Sequence, residues 1–388
     1  MTPAARAHSA IEVLDTILSG TPTEQALTRW ARNNRFAGSK DRAAIRDLVF
    51  DGIRCRRSYA VLGGAETGRG LILGGMRARG LNADDHFDDS TYGPPSLSEQ
   101  ERALTTTISD LDKTEQVDLQ DWVWTTFQQD LGDKAFETAT ALRSRADVFL
   151  RVNLRKSDLQ SAIKQLKVDG IEAEPHPLSP TALRVTSNPR RVAQSSAYKD
   201  GQVELQDAAS QAVCDFINLP TGGDILDYCA GGGGKSLAMA ARTDAKIHAH
   251  DANVGRMKDI PQRANRAGVR IQCLDKTPNN KSYELVVCDV PCSGSGSWRR
   301  SPDGKWSITP ETLDALLKTQ AEILRNAAAL VTKGGELAYA TCSVLAAENR
   351  DQVQTFLDAC PDWVLIKDRQ FLPQDGGDGF YIARLTRQ

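Results

Sequence analysis

From about residue 223 the chain alternates short apolar segments with helical patterns, and this constrains its fold more than any other feature. DILDYCA, AKIHAHD, VRIQCLD, YELVVCDV and GELAYATCS read as strands. Helical spacing fills residues 235–242, 254–267, 310–332 and 346–358 between or beyond them. Such alternation builds βαβ units, and so a mostly parallel sheet covered by helices on both faces. GFYIARL supplies a last strand.

The chain upstream has a different character. Ala10, Val13, Leu14 and Ile17 recur at helical spacing, Thr23 is placed to cap EQALTRWAR, and Ala43, Ile45, Leu48, Val49 and Ile53 form a second stripe. Residues 63–98, rich in Gly, Asp, Ser and Pro, read as loops between short helices. Helical patterning resumes over 99–145, with Leu119, Trp122, Val123 and Phe127 on one face. VFLRVNL and LRVTS are strands and LQSAIKQLK a helix, in a small α+β segment. The 388 residues thus divide into a helical domain (1–140), an α+β segment (141–215) and an α/β domain (216–388).

Charge is uneven along the helical domain. Residues 1–80 carry 13 Lys/Arg against 7 Asp/Glu, and residues 81–140 carry 3 against 14. The basic stretch suits a polyanion or a solvated helical surface, whereas the acidic stretch excludes a uniformly basic nucleic-acid face. The eight cysteines form no CxxC pair, so a reducing cytoplasmic setting without a metal site is expected. No run of 18 apolar residues occurs.

Chemistry concentrates at the ends of the α/β strands. The first runs into Asp227-Tyr-Cys229-Ala230-Gly231-Gly232-Gly233-Gly234-Lys235-Ser236, where glycines let the backbone turn and approach a ligand closely. A P-loop requires glycine where Cys229 stands, and the dinucleotide pattern G-x-G-x-x-G fails at Ser236. Asp251, Asp275 and Asp289 close the next three strands, so four carboxylates line one sheet edge, as ligand groups or as helix caps. Two cysteines occupy the same rim: Pro291-Cys292 follows the fourth strand and Thr341-Cys342 ends the fifth. A thiolate there could act as a covalent nucleophile.

DYCAGGGGKS, DVPCSGSG, WRRSPDGKW and YATCSVLAAENRDQV, in that order, resemble the Sun-type (RsmB/NSUN) cytosine-C5 RNA methyltransferases. The resemblance spans residues 150–388, including GQVELQDAASQ and DGFYIARL, while RFAGSKDRAAIRDLV resembles the helical NusB-like RNA-binding domain of the ribosomal-RNA branch. It implies a Rossmann-like class I methyltransferase fold and S-adenosylmethionine as cofactor. Asp227, Cys229, Ala230, Gly231, Gly232, Gly233, Gly234, Lys235, Asp251, Arg256, Asp275 and Asp289 would then hold that cofactor. Cys342 would attack cytosine C6, Asp289 would hydrogen-bond the base with Lys235 beside it, and Cys292 would aid product release. The family loop carries proline where Gly232 stands and threonine where Ser236 stands, which implies a less rigid cofactor loop.

For RNA, Arg299, Arg300 and Lys305 beside Trp298 and Trp306 are candidate contacts, as are Lys40, Arg42 and Arg46. Trp298 and Trp306 could equally fold into a core. Small-subunit ribosomal RNA is the expected substrate, with transfer RNA as the alternative and a non-catalytic RNA-binding scaffold as another reading. A monomer is expected.

Overall fold

The computed structural model describes residues 1–278 and 281–388. It divides into two compact units, Met1–Arg145 with Trp298–Ser307, and Ala146–Ser297 with Ile308–Gln388. The α+β segment therefore shares a unit with the α/β sheet. Residues 298–307, assigned from sequence to the C-terminal domain, belong to the helical unit.

The helical unit opens with Pro3–Leu18, whose Thr2 cap accepts from the Ala5 amide at 3.1 Å. Ala10, Val13 and Leu14 are buried, and from Ser39–Arg54 the residues Ile45, Val49 and Ile53 join the same core. Thr23 does not cap its helix. Pro22 holds that position, and the Thr23 hydroxyl donates to Asp303 at 2.6 Å. Within residues 63–98, read as loops between short helices, the helix Gly68–Ala78 buries Leu71, Ile72, Leu73 and Met76. Its glycines serve packing: a Cβ at Gly74 would stand 1.9 Å from the Tyr59 carbonyl of the preceding helix. In Asp121–Leu131 it is Trp124 rather than Trp122 that is buried with Val123 and Phe127.

The second unit holds two sheets. Strands β1 (Val148–Val152), β2 (Glu172–Pro175), β3 (Ala182–Ser187) and β4 (Val203–Leu205) form an antiparallel sheet in the order β2-β3-β1-β4. Helix Leu159–Val168 packs on it, started by Asp158 accepting from the Ser161 amide at 2.9 Å. The larger sheet comprises β5 (Asp224–Asp227), β6 (Lys246–His250), β7 (Ile271–Leu274), β8 (Tyr283–Asp289), β9 (Val331–Thr341), β10 (Trp363–Phe371) and β11 (Phe380–Arg387).

Their order is β10-β11-β9-β8-β5-β6-β7. Strands β5 to β9 run parallel, and β11 lies antiparallel between β9 and β10. Leu226, Val286, Leu337 and Tyr339 face one hydrophobic layer, and Ile225, Leu285, Val287, Ala338 and Ala340 the other. Burial on both faces is what a continuous apolar run in a central parallel strand requires. β9 begins at Val331, so the helix expected to reach 332 stops at Ala328. Connections depart on either side of β5, which opens a crevice at the carboxyl ends of β5 and β8. No described helix is long and apolar enough to cross a membrane.

Candidate active site

β5 delivers Asp227 to the crevice, and the chain turns at once through the glycines. Gly231 and Gly233 adopt φ of +52° and +79°. A side chain at Gly233 would also strike Ile260, with a Cβ only 2.7 Å from its Cγ1. The loop is pinned by the Ala230 amide donating to the His250 carbonyl (2.8 Å) and the Gly231 amide donating to Asp251 (2.9 Å). At Gly232 the missing proline ring is offset by a tether, because the Arg263 guanidinium donates to the Gly232 carbonyl.

Beside this loop lies a cavity of about 210 Å³, lined among others by Gln206, Ser210, Asp227, Gly231, Lys235 and Asp289. Cys229, Ala230, Gly232, Gly234 and Arg256 complete its wall. Asp227 is buried; its Oδ2 accepts from the Ser236 hydroxyl at 2.6 Å, and its Oδ1 has no protein partner. Burial, with Asp289 nearby, pushes its carboxyl up to about 6.

The other expected cofactor residues sit further out. Gly233 and Asp251 shape the loop without lining the cavity. Asp251 accepts from the amides of Gly231 and Asn253 and pairs with Arg256 at 3.2 Å. Asp275 follows β7 on an exposed position and lines nothing here. Gln206 and Ser210 were missed as site residues, although both fall in the GQVELQDAASQ stretch that carried part of the resemblance.

The reactive groups gather at the ends of β8 and β9. Lys235 Nζ donates to Asp289 Oδ2 at 2.6 Å. Burial alone would lower the lysine, but the Asp289 carboxylate outweighs it and holds the ammonium raised. Cys292 Sγ and Cys342 Sγ lie 3.2 Å apart. The hydrogen bond from Cys292 holds the Cys342 thiol below its usual range, with Lys235 acting the same way against burial and Asp289. The same bond, reinforced by burial, pushes Cys292 well up. Of the two, Cys342 is therefore the thiol held towards ionisation and Cys292 the one held neutral.

The expected RNA contacts all lie in the helical unit, and they divide. Lys305 is fully buried, donating from Nζ to the Arg54 carbonyl and lying 5.3 Å over the Trp306 ring. Arg299 is buried, and its carbonyl accepts from Arg54 Nε at 3.0 Å. Trp298 stacks on Phe127 with centroids 6.1 Å apart, and the Trp306 indole donates to the Ile53 carbonyl at 2.7 Å. This stretch is a structural strap, which corrects the reading of Lys305 and Arg299 as phosphate contacts. Arg300, Lys40, Arg42 and Arg46 are exposed. Arg42 donates to the Ala37 carbonyl, and Arg46 pairs with Glu24 through both guanidinium nitrogens.

Residues 216–386 match the family model of the 16S rRNA methyltransferase RsmB/F. Residues 120–192 match the RsmF/B-like ferredoxin-like domain. The ribosomal RNA small subunit methyltransferase B of Xylella fastidiosa is 32% identical over 287 residues, 69% of this chain and 68% of that protein. The chain belongs to the RsmB/F methyltransferase family. The ribosomal RNA small subunit methyltransferase B of Photorhabdus laumondii is 30% identical over 284 residues, covering 69% of this chain and 66% of that one. Matches of this kind span about two thirds of the length of these curated relatives. A methyltransferase homolog from Pyrococcus horikoshii shares the fold, with a TM-score of 0.64 at 22% identity over 72% of this chain and 99% of that chain. Within the family frame, the small antiparallel sheet is the ferredoxin-like part and the seven-stranded sheet the methyltransferase part.

Proposed function

We propose that this protein transfers a methyl group from S-adenosylmethionine to C5 of a cytosine in RNA, and that the RNA is 16S ribosomal RNA. The observation that carries the reading is the polarised cysteine pair, 3.2 Å apart, beside the Lys235–Asp289 ion pair at the rim of the glycine-loop cavity. The residues present fit the cofactor: Asp227 Oδ1 is a buried acceptor without a protein donor, suited to an ammonium group, and the glycines admit close backbone approach. Asp251, through Gly231, holds the loop in shape. Bound there, S-adenosylmethionine supplies the methyl group.

Cytosine C5 is a poor nucleophile until a thiolate adds at C6. Cys342, its thiol held below the usual range by its partners, makes that addition as the thiolate. Charge then builds towards N3 of the base, where Asp289 with its Lys235 partner provides hydrogen bonding and a proton source. The C5 proton passes to water, the C5=C6 bond re-forms, the C6–S bond breaks to release Cys342 as a thiolate, and the Cys292 S–H stabilises it in leaving. A paired base has to leave its stack before C6 is reachable. Exposed Lys40, Arg42 and Arg300 meet RNA phosphates. The helical unit, through its likeness to NusB, favours ribosomal RNA, with the protein working as a cytoplasmic monomer.

Bisulfite sequencing of RNA from cells with and without the gene tests this directly. Loss of protection at one 16S cytosine is expected; loss at a transfer-RNA cytosine would change the substrate, and no loss in a strain lacking redundant enzymes would overturn the reading. Cys292→Ala should accumulate an RNA–protein adduct that survives denaturing electrophoresis.

A further inference from the structure

Glu348 is fully buried in the turn that follows the Thr-Cys strand, and no Lys or Arg among the described residues pairs with it. Its charge is met by hydrogen bonds alone. Oε1 accepts from the Ser293 amide at 2.7 Å and from the Gln320 amide at 3.0 Å. Oε2 accepts from the hydroxyls of Ser293 and Ser343. Ser293 directly follows Cys292, and Ser343 directly follows Cys342. One carboxylate therefore grips both cysteine loops at the residue next to each sulfur.

Other bonds follow the same line. The Gly296 amide donates to the Cys342 carbonyl at 3.0 Å, and the Ser295 and Ser343 hydroxyls share a bond of 2.8 Å. Gln320 also donates to the Pro291 carbonyl at 3.0 Å. A buried anion without a cation is costly to keep, so a saturated set of donors at this point calls for a reason beyond stability.

We propose that Glu348 is the positioning residue of the cysteine pair, tying the Pro-Cys loop to the Thr-Cys loop and thereby deciding which cysteine attacks and which keeps its proton. The inference rests on the proposed function for its catalytic consequence, but the strap itself can be read without RNA or cofactor. The charges facing the two sulfurs divide accordingly. Glu348 faces Cys292 and favours its neutral thiol, while Lys235 and Asp289 face Cys342 with opposite signs, and the Tyr339 hydroxyl donates to the Glu348 carbonyl at 2.7 Å.

The test is alkylation by iodoacetamide across pH on the full chain, with the Cys292 and Cys342 peptides resolved by mass spectrometry. In the wild type Cys342 should react at lower pH than Cys292. Glu348→Gln keeps the volume but places an amide donor against donors, so the two profiles should converge. Methyl transfer should fall about 100-fold in kcat, with KM for S-adenosylmethionine unchanged, as a small misplacement of the reacting atom would produce. Unchanged profiles overturn the proposal. Converged profiles in a protein that methylates no RNA would uphold the strap and overturn only the proposed function. If Glu348→Gln does not fold, the Ser293→Ala/Ser343→Ala double variant removes both hydroxyl bonds to Oε2 without altering charge, and its alkylation profiles decide in the same way.

Discussion

Two buried lysines, one in each unit, occupy opposite electrostatic settings. Lys235, in the α/β unit, faces a carboxylate at 2.6 Å and lines a cavity. Lys305, in the helical unit, has no carboxylate within ion-pair distance among the described residues and is satisfied by a main-chain carbonyl and an indole face. Asp289 holds the first raised, whereas burial lowers the second to about 8. Both lie in stretches that resemble family motifs, and sequence proximity to a catalytic loop does not separate them. The partner does: a carboxylate keeps Lys235 charged against burial, whereas Lys305, without one, gives up its proton at lower pH than a free lysine.

This contrast can be broken most decisively at Cys342, whose thiol Lys235 helps to hold below its usual range. Cys342→Ala should lower methyl transfer by roughly a thousandfold or more, while calorimetric binding of S-adenosylmethionine is retained. Full activity in that variant would remove the reason for a charged Lys235. Lys235→Met should cost about 100-fold in kcat, and Lys305→Met should leave turnover per folded molecule unchanged; the two activities measured side by side expose any error.

Lys305 makes its own prediction through pH. Its folded-state value lies below that of an unfolded lysine, so its destabilising effect is complete below about 8 and is relieved as pH rises towards 10.5. Urea unfolding of the wild type should therefore gain about 2 kcal/mol between pH 7 and 9.5 relative to Lys305→Met. An equal pH response in both proteins would contradict the buried, unpaired setting. The smallest effect belongs to the exposed cation of the same strap. Arg300→Ala should weaken RNA binding a few-fold and reduce its salt slope by about one, whereas Lys305→Met should change neither.

The site was legible where a residue's chemistry and its strand position coincide. Apolar runs ending in Asp227, Asp251 and Asp289 announced parallel strands, and Pro-Cys and Thr-Cys at neighbouring strand ends announced a paired thiol centre. What escaped depends on contacts distant in sequence. Strand β10 was overlooked because its apolar start, residues 363–366, is cut short by Lys367, Asp368 and Arg369, which are exposed on the sheet edge. Gly74 reads as loop punctuation until the Tyr59 carbonyl is seen against it. Gln206 and Ser210 reach the cavity from a helix start well upstream of the glycine loop; the GQVELQDAASQ stretch marks the segment but not which of its residues face the cavity. Trp298 and Lys305 resemble an RNA-stacking, phosphate-binding pair, and only their burial shows that they serve the helical core.

The strap from Trp298 to Ser307 also sets a timetable. Residues 1–145 leave the ribosome first, yet their unit lacks the indole that stacks on Phe127 and the ammonium that meets the Arg54 carbonyl until some 150 further residues have been made. At about 5–20 residues per second that delay is roughly 8–30 s. During it Phe127 is without its stacking partner, and that partner emerges directly after the Pro-Cys loop, whose last residue precedes Trp298.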